Sequence, residues 1–467
     1  MPLSQVWLAV AVLLPVLILQ TSLGTIDLAY HLRAGQIMLR THAILRTDSF
    51  SFVTAGHAWL NQQWGAQVVL AGVYDLLGWA GLALLHGVLV GLTFALIFLA
   101  CRAAGAGAML SSLLTLSAFA VSGASLPLRP QVLAAALFAL TLWIVFSRRR
   151  RPGLMWFVPA ITAAWANLHG TFFLGPLVLG LAWIEDAAED SPTARRTLLI
   201  TFTSVAATLV NPFGLRVWSY VLSLSTSPVI AKLISEWQPP SIRELSGALF
   251  FLSVAGVAVS LVRRDRVTPW TSLLWFGVFF AIALTATRST AWWGLAAAPM
   301  LARLFRDSRS SQRRDPPPSP AHTLIAIALV LLVGVGFPWS FVGSSVQDPS
   351  PRLVDAPARM TTALAQALQP GDRIFAPQAL GSWFEFALPR NPVFVDSRIE
   401  LLPPWVWRED GYVFTGRVGW QRFLDRWNVR AVVIAEPAEA PLFPLIERDP
   451  GWRLLYSGTD GAAFIRA

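Results

Sequence analysis

The sequence predicts a polytopic α-helical membrane protein of about eleven transmembrane helices, with a small extracytoplasmic α/β domain at its C-terminus. Three observations predict it. Only 13% of the 467 residues are charged, 55% are apolar, and mean hydropathy is +0.56. Soluble domains carry about a quarter charged residues, so this composition excludes an ordinary soluble enzyme and a disordered chain alike. Apolar runs of about 20 residues, enough to cross about 30 Å of hydrocarbon, recur through most of the chain. From about residue 346 charges are dispersed and apolar runs are too short to cross a bilayer.

Taken in order, the runs lie near 4–24, 79–101, 104–125, 130–147, 154–169, 171–186, 197–213, 246–262, 269–287, 289–303 and 321–341. The first lacks a basic flank and a small-residue cleavage site, so it reads as a retained span and not a removed signal peptide. Lys232 is the single lysine among 36 basic residues, and net charge is +10. That excess is placed for topology. Arg148-Arg149-Arg150-Arg151, Arg263-Arg264-Asp265-Arg266 and the stretch Arg303 to Arg314 all follow even-numbered spans. The positive-inside rule puts those loops and the N-terminus in the cytoplasm and removes the case for nucleic-acid binding. The single cysteine, Cys101, lies in an apolar run and reads as packing.

This parity leaves four segments outside: a long first loop (about 25–78), the Leu126–Pro130 turn, the Asn211–Gly247 loop and everything after about residue 342. Residues 1–345 are thus expected to form the transmembrane domain with its first outer loop, and residues 346–467 the outer domain. Arg309–Pro320, with Pro316-Pro317-Pro318, reads as a cytoplasmic linker. In the outer domain Arg373–Ala376, Pro392–Asp396, Ala431–Ala435, Trp452–Tyr456 and Ala462–Arg466 read as strands. Pro357–Leu368, Trp420–Trp427 and Leu442–Arg448 read as helices.

The first outer loop holds the densest chemistry: Thr25-Ile26-Asp27-Leu28-Ala29-Tyr30-His31, then Thr47-Asp48-Ser49-Phe50-Ser51, then Trp59-Leu60-Asn61-Gln62-Gln63-Trp64. On a helix Asp27 and His31 are i,i+4 neighbours. A carboxylate and an imidazole together can take a proton from a hydroxyl or hold a divalent cation beside a phosphate. They can equally cap a juxtamembrane helix and snorkel to the interface. Further polar residues fall at outer span ends: Arg129, Asn167 and His169, Asn211, Glu236-Trp237, and Arg288. Each alone is a helix terminator or an interfacial anchor. Ionisable groups at membrane depth are costly, however, and two arginines on the outer face suit a lipid-linked phosphate.

The pattern Asp27…His31…Gly35, Asp48-Ser49-Phe50-Ser51, Trp59 and Trp64, with Asn167-Leu168-His169-Gly170, Asn211-Pro212-Phe213-Gly214, Glu236-Trp237 and Val393-Phe394-Val395-Asp396-Ser397-Arg398, resembles the GT-C superfamily of integral-membrane glycosyltransferases. It is most similar to a little-characterised bacterial branch, over nearly the whole chain. The resemblance implies transfer of a hexose or pentose from a polyprenyl-phosphate-linked donor to a lipid, glycan or protein acceptor on the outer face. Asp27 takes the position of the first-loop base, with His31 and Asp48 as partners. Many relatives place two acidic residues together here, whereas Ile26 and Leu28 flank Asp27, so the second carboxylate falls to Asp48.

On these readings Arg129 and Arg288 bind the donor phosphate, and Trp64, Asn167, His169, Asn211, Glu236 and Trp237 line the substrate pocket. No cofactor is assigned beyond an optional divalent cation (Mg or Mn) on Asp27, His31 and Asp48. In the outer domain Asp396 and Arg398, two apart on an expected strand, form either a structural ion pair or an acceptor contact. Trp383, Trp405, Trp407, Trp420 and Trp427 supply either core or sugar-stacking surface. Two other functions stay open: an inactive scaffold of the same fold, and a lipid-linked saccharide transporter or flippase. The latter calls for ionisable residues near span centres, where the sequence has few.

Overall fold

The computed structural model describes residues 1–227, 230, 234–264, 267–305, 318–336 and 338–467. Lys232, Asp265-Arg266, Arg306, Arg309, Arg313, Arg314 and most of the 309–320 linker lie outside the described residues. The chain divides into two compact units: Met1–Thr21 with Ala83–Trp339, and Ser22–Leu82 with Ser340–Ala467. The first outer segment, expected with the transmembrane domain, therefore belongs with the C-terminal segment.

The first unit is helical. Its helices include Leu3–Leu19, Ala108–Ser122, Pro130–Ser147, Val158–Ala166, Leu174–Ala188, Ala194–Ala207, Leu245–Val262, Trp270–Thr285, Thr290–Leu304 and Pro320–Gly336. Six segments are long and apolar enough to cross a membrane: Trp64–Ala104, Ala108–Ser125, Pro130–Ser147, Gly170–Ala188, Leu245–Val262 and Pro320–Phe341. Leu3–Leu19, Pro152–Ala166 and Trp270–Thr285 are shorter apolar helices. The protein is a polytopic membrane protein. Ala194–Ala207, in the expected span 197–213, has only 14 residues, because the Asn211-Pro212 turn follows it.

Pro130 occupies the first turn of its helix, where its missing N–H has no intrahelical partner to lose. Trp64–Ala104 runs 41 residues but is broken at Gly78 (φ 61, ψ −154), a conformation open to glycine alone. Gly294 lets the Thr290–Leu304 helix approach Ala108–Ser122 closely, for a Cβ there would lie 3.1 Å from the Ala118 carbonyl.

The arginines at the ends of Pro130–Ser147 and Thr290–Leu304 do more than mark topology. Arg148 pairs with Asp186 at 2.9 Å and Glu185 at 3.1 Å, Arg149 pairs with Glu189, and Arg303 pairs with Glu185 and Glu189. Thr193 and Thr197 donate to Asp186 as well. Arg148, Glu185 and Asp186 are buried, and the network satisfies charges that could not stand alone there.

The second unit is α/β. Two-residue strands β1 (Leu23–Gly24) and β2 (Leu353–Val354) pair in parallel. The main sheet comprises β3 (Arg373–Phe375), β4 (Val429–Ile434), β5 (Trp452–Gly458) and β6 (Gly461–Arg466) in the order β3-β4-β6-β5. β3 and β4 are parallel and the other pairs antiparallel. β4 and β6, at the centre, are almost wholly buried and read as continuous apolar runs. The expected strand Pro392–Asp396 is absent: Val393 makes isolated bridges to Ser51 and Ile374, and the chain then turns at Asp396. Helices Gln378–Ala387 and Pro404–Phe414, unmarked in the sequence reading, complete the unit. Trp383 and Trp420 are core, whereas Trp405, Trp407 and Trp427 are partly buried against it.

Candidate functional site

Asp27 lies in the first turn of the Ile26–Thr41 helix, whose free N–H groups favour a carboxylate. The start of that helix is fixed by the C-terminal segment of the same unit, since the Thr25 N–H and hydroxyl both donate to the Val354 carbonyl, at 3.2 and 2.8 Å. Asp27 is half-buried and His31, one turn on, is buried. The His31 Nδ1 is 3.3 Å from Gln67 Nε2, and the Gln67 Oε1 accepts from Asn61 at 2.7 Å, so a side-chain relay orients the imidazole. The Tyr30 ring lies 4.0 Å from that of His31. Burial, and then the charges of Asp27 and Glu400, push the Tyr30 phenol well above its ordinary pKa, so it is a neutral hydroxyl beside Asp27.

Asp48 has a different role from the one the sequence suggested. Its Oδ1 accepts from the Phe50 N–H at 3.0 Å and from Arg398 at 2.8 Å, and its Oδ2 accepts from Thr54 at 2.6 Å. It is 2% exposed and is consumed as a structural anion. Arg398 also holds Asp396, through Nε at 3.1 Å and Nη2 at 2.5 Å, and its guanidinium lies 4.5 Å from the Phe50 ring centre and 4.8 Å from that of Trp59. Asp396 and Arg398 are thus a buried ion pair at the heart of the unit. Burial opposes the charge on Asp396, but Arg398 outweighs it and holds the carboxyl below the usual range.

Glu385 completes the cluster, 4% exposed, with its Oε1 3.8 Å from Arg398. Burial and the charge of Asp396 push its carboxyl well above the ordinary value, which favours the neutral acid. With Glu385 neutral, one guanidinium faces two carboxylates. Among the described residues no group of three or more His, Cys, Asp and Glu side chains could hold a metal ion. The expected cation set of Asp27, His31 and Asp48 is therefore not formed, because Asp48 is turned onto Arg398.

The helical unit has its own polar cluster. Arg129 Nη2 donates to both Glu236 oxygens at 2.8 Å. Arg288 donates to Gln131 Oε1 at 2.9 Å and stacks 4.9 Å from the Trp237 ring. Arg129, Glu236, Trp237 and Arg288, all named from the sequence, are thereby brought together, and Gln131 joins them. Asn167, His169 and Asn211 shape helix ends. Asn167 donates to the Ala163 and Val210 carbonyls at 2.8 Å, His169 caps Gly170–Phe173 through Thr171, and the Asn211 Oδ1 accepts from the Phe213 N–H at 2.7 Å. Trp64 opens its helix, half-buried, in the other unit.

A largely apolar cavity of about 360 Å³ also lies in the helical unit, lined by Leu114, Val121, Leu252, Val257, Trp293 and Leu301 among others. The sequence reading missed Tyr30, Gln67, Gln131 and Glu385. Of these only Glu385 carries a signal, as a lone acid in the apolar run Trp383-Phe384-Glu385-Phe386.

The structure is similar to that of the Archaeoglobus fulgidus oligosaccharyltransferase in its apo form, with a TM-score of 0.54 and 14% identity, covering 100% of this chain and 74% of that one. The two proteins share a fold. No protein-family model matches the chain, and no curated protein does.

Proposed function

We propose that the protein is a membrane glycosyltransferase that moves a sugar from a polyprenyl-phosphate-linked donor to an acceptor hydroxyl on the extracytoplasmic face. The observation that carries this reading is the fold over the full chain, shared with an oligosaccharyltransferase. The position of Asp27 supports it. The residue opens the helix that follows the first apolar segment, held there by Thr25 and Val354, with a buried imidazole one turn away.

In this reading Asp27 accepts the proton of the acceptor hydroxyl as its oxygen bonds to the anomeric carbon. The bond from that carbon to the phosphate oxygen breaks, and its electron pair leaves on the phosphate. The leaving group is already anionic and needs no strong acid, but it gains from a fixed cation. The helical unit offers its own cations for a donor phosphate: Arg288, held by Gln131 and Trp237, and Arg129, paired with Glu236. His31, held by Gln67, orients Asp27. The apolar cavity beside Trp293 suits the prenyl chain. The N-terminus and the arginine-rich loops are assigned to the cytoplasm of a bacterial inner membrane.

A second reading, a non-catalytic scaffold, draws on Asp48, since the carboxylate that was to assist Asp27 is committed to Arg398. Mass spectrometry of envelope lipids and glycans separates the two. A strain lacking the gene is expected to miss a single sugar unit, whereas an unchanged set of glycans overturns the enzyme.

A further inference from the structure

The second unit has another concave site, which the proposed reaction does not use. It is a cavity of about 800 Å³ at the helices Pro404–Phe414 and Trp420–Arg426, and its wall carries Arg408, Arg417, Arg422 and Arg426 against one acid, Glu409. The arginines are placed by helical spacing and by a fixed turn. Arg408 and Tyr412 lie one turn apart on the first helix, and Arg422 and Arg426 one turn apart on the second. Between them Gly416 and Gly419 take φ of 63° and 92°, and the Tyr412 hydroxyl donates to the Val418 carbonyl, which holds Arg417 at the rim.

Other arginines of this unit have partners: Arg398 with Asp48 and Asp396, Arg466 with Asp425, and Arg373 with the Trp427 carbonyl. Among the described residues none of the four in the cavity has an ion pair or a side-chain hydrogen bond, and Arg426 only stacks 5.5 Å from Trp427. Four like charges around one concavity repel one another, and that arrangement gains from an anion of matching charge. Guanidinium forks fit phosphate oxygens two at a time. Trp407 and Tyr412 add ring surface to the same wall. Carboxylates bear one charge each, so a phosphate or diphosphate answers an excess of three cations better than a single acidic side chain.

We propose that this cavity binds a phosphate- or diphosphate-bearing ligand, supplied either by an anionic lipid headgroup or by a soluble phosphate compound. Val418, 96% exposed at the tip of the turn, offers an apolar contact beside the headgroup in the first case. The inference is independent of the role given to Asp27.

The test uses the full chain in phosphatidylcholine nanodiscs, titrated calorimetrically with inorganic pyrophosphate. Saturable binding is expected, weakened at least 10-fold in Arg422→Gln/Arg426→Gln and again in Arg408→Gln/Arg417→Gln, and unchanged in Arg453→Gln, which lies on β5 outside the cavity. Thermal melting shows which double variant keeps its fold, and that one is scored. In nanodiscs containing phosphatidylglycerol, loss of pyrophosphate binding assigns the site to a lipid headgroup, and undiminished binding assigns it to a soluble phosphate. Unsaturable binding to the natural chain, or equal binding by a folded double variant, overturns the proposal.

Discussion

The Arg398 guanidinium donates to Asp48 Oδ1 at 2.8 Å, so a residue of the C-terminal segment anchors the loop that follows the Asp27 helix. The same guanidinium grips Asp396 and lies against the Phe50 and Trp59 rings, which meet edge to face. The anchor is charged, and its removal strands two buried carboxylates. Arg398→Ala is expected to cost about 3–5 kcal/mol. Arg398→Lys, which keeps the charge but loses the two-pronged contact, is expected to cost roughly 1–3 kcal/mol. Thermal and denaturant unfolding of the purified chain checks both, and a neutral Arg398→Ala removes the anchor from the account.

Glu385 tests the charge count. Burial favours its neutral form, so Glu385→Gln keeps shape and hydrogen-bonding capacity and is expected to change stability by less than about 1 kcal/mol at acidic pH, below the ordinary carboxylate range. Glu385→Ala, which opens a gap beside Asp396, is expected to cost about 2–3 kcal/mol. The folded pKa of Glu385 is raised, so its favourable contribution is complete below the ordinary carboxylate range and is lost as pH rises toward the folded value. Glu385→Gln should therefore gain on the natural chain as pH rises. A stability difference that is flat with pH contradicts a neutral Glu385.

Asp410 gives a second pH signal with a stated midpoint. Burial pushes its carboxyl up to about 7, and its Oδ1 is buried without a partner. The raised value means that stability is lost as pH climbs from about 4 through about 7. Asp410→Asn should remove that slope and leave the variant more stable at pH 8 by on the order of 2 kcal/mol. Melting temperatures at pH 5, 6, 7 and 8 measure it, and parallel curves for the two proteins contradict the assignment.

The two arginines of the helical-unit cluster should not be equal. The Arg129 Nη2 donates to both Glu236 oxygens, and the Arg288 guanidinium donates to Gln131 and stacks on the Trp237 ring. Arg288→Ala is expected to lower product by about 100–1,000-fold, the magnitude usual for loss of one group that stabilises a developing anion. Arg129→Ala is expected to lower it less. Quantifying glycan product against membrane-protein level checks the order, and the reverse order assigns the phosphate to Arg129.

What the sequence makes legible follows from how local each feature is. Apolar runs and the prolines at helix starts mark the helices directly, and the strands around Val432 and Phe464 show as short buried runs. Asp27 and His31 fall on one helix face because both signals lie within a single turn. The grouping of residues 22–82 with 340–467 is illegible, since it rests on contacts such as Thr25 with Val354 and Asp48 with Arg398, between segments remote in sequence. For the same reason Asp48 reads as a spare carboxylate until its partner is seen. His169 and Asn211 show the converse, since the contact of His169 with Thr171 and the turn from Asn211 to Phe213 are local bonds that any helix end can use.

The most direct measurement concerns Asp27. In a strain lacking the gene, complementation with Asp27→Asn, matched to the natural chain in membrane level, should leave the sugar unit absent from the mass spectrum of envelope lipids and glycans, because the amide cannot take the acceptor proton. Full restoration of that unit by Asp27→Asn contradicts the account.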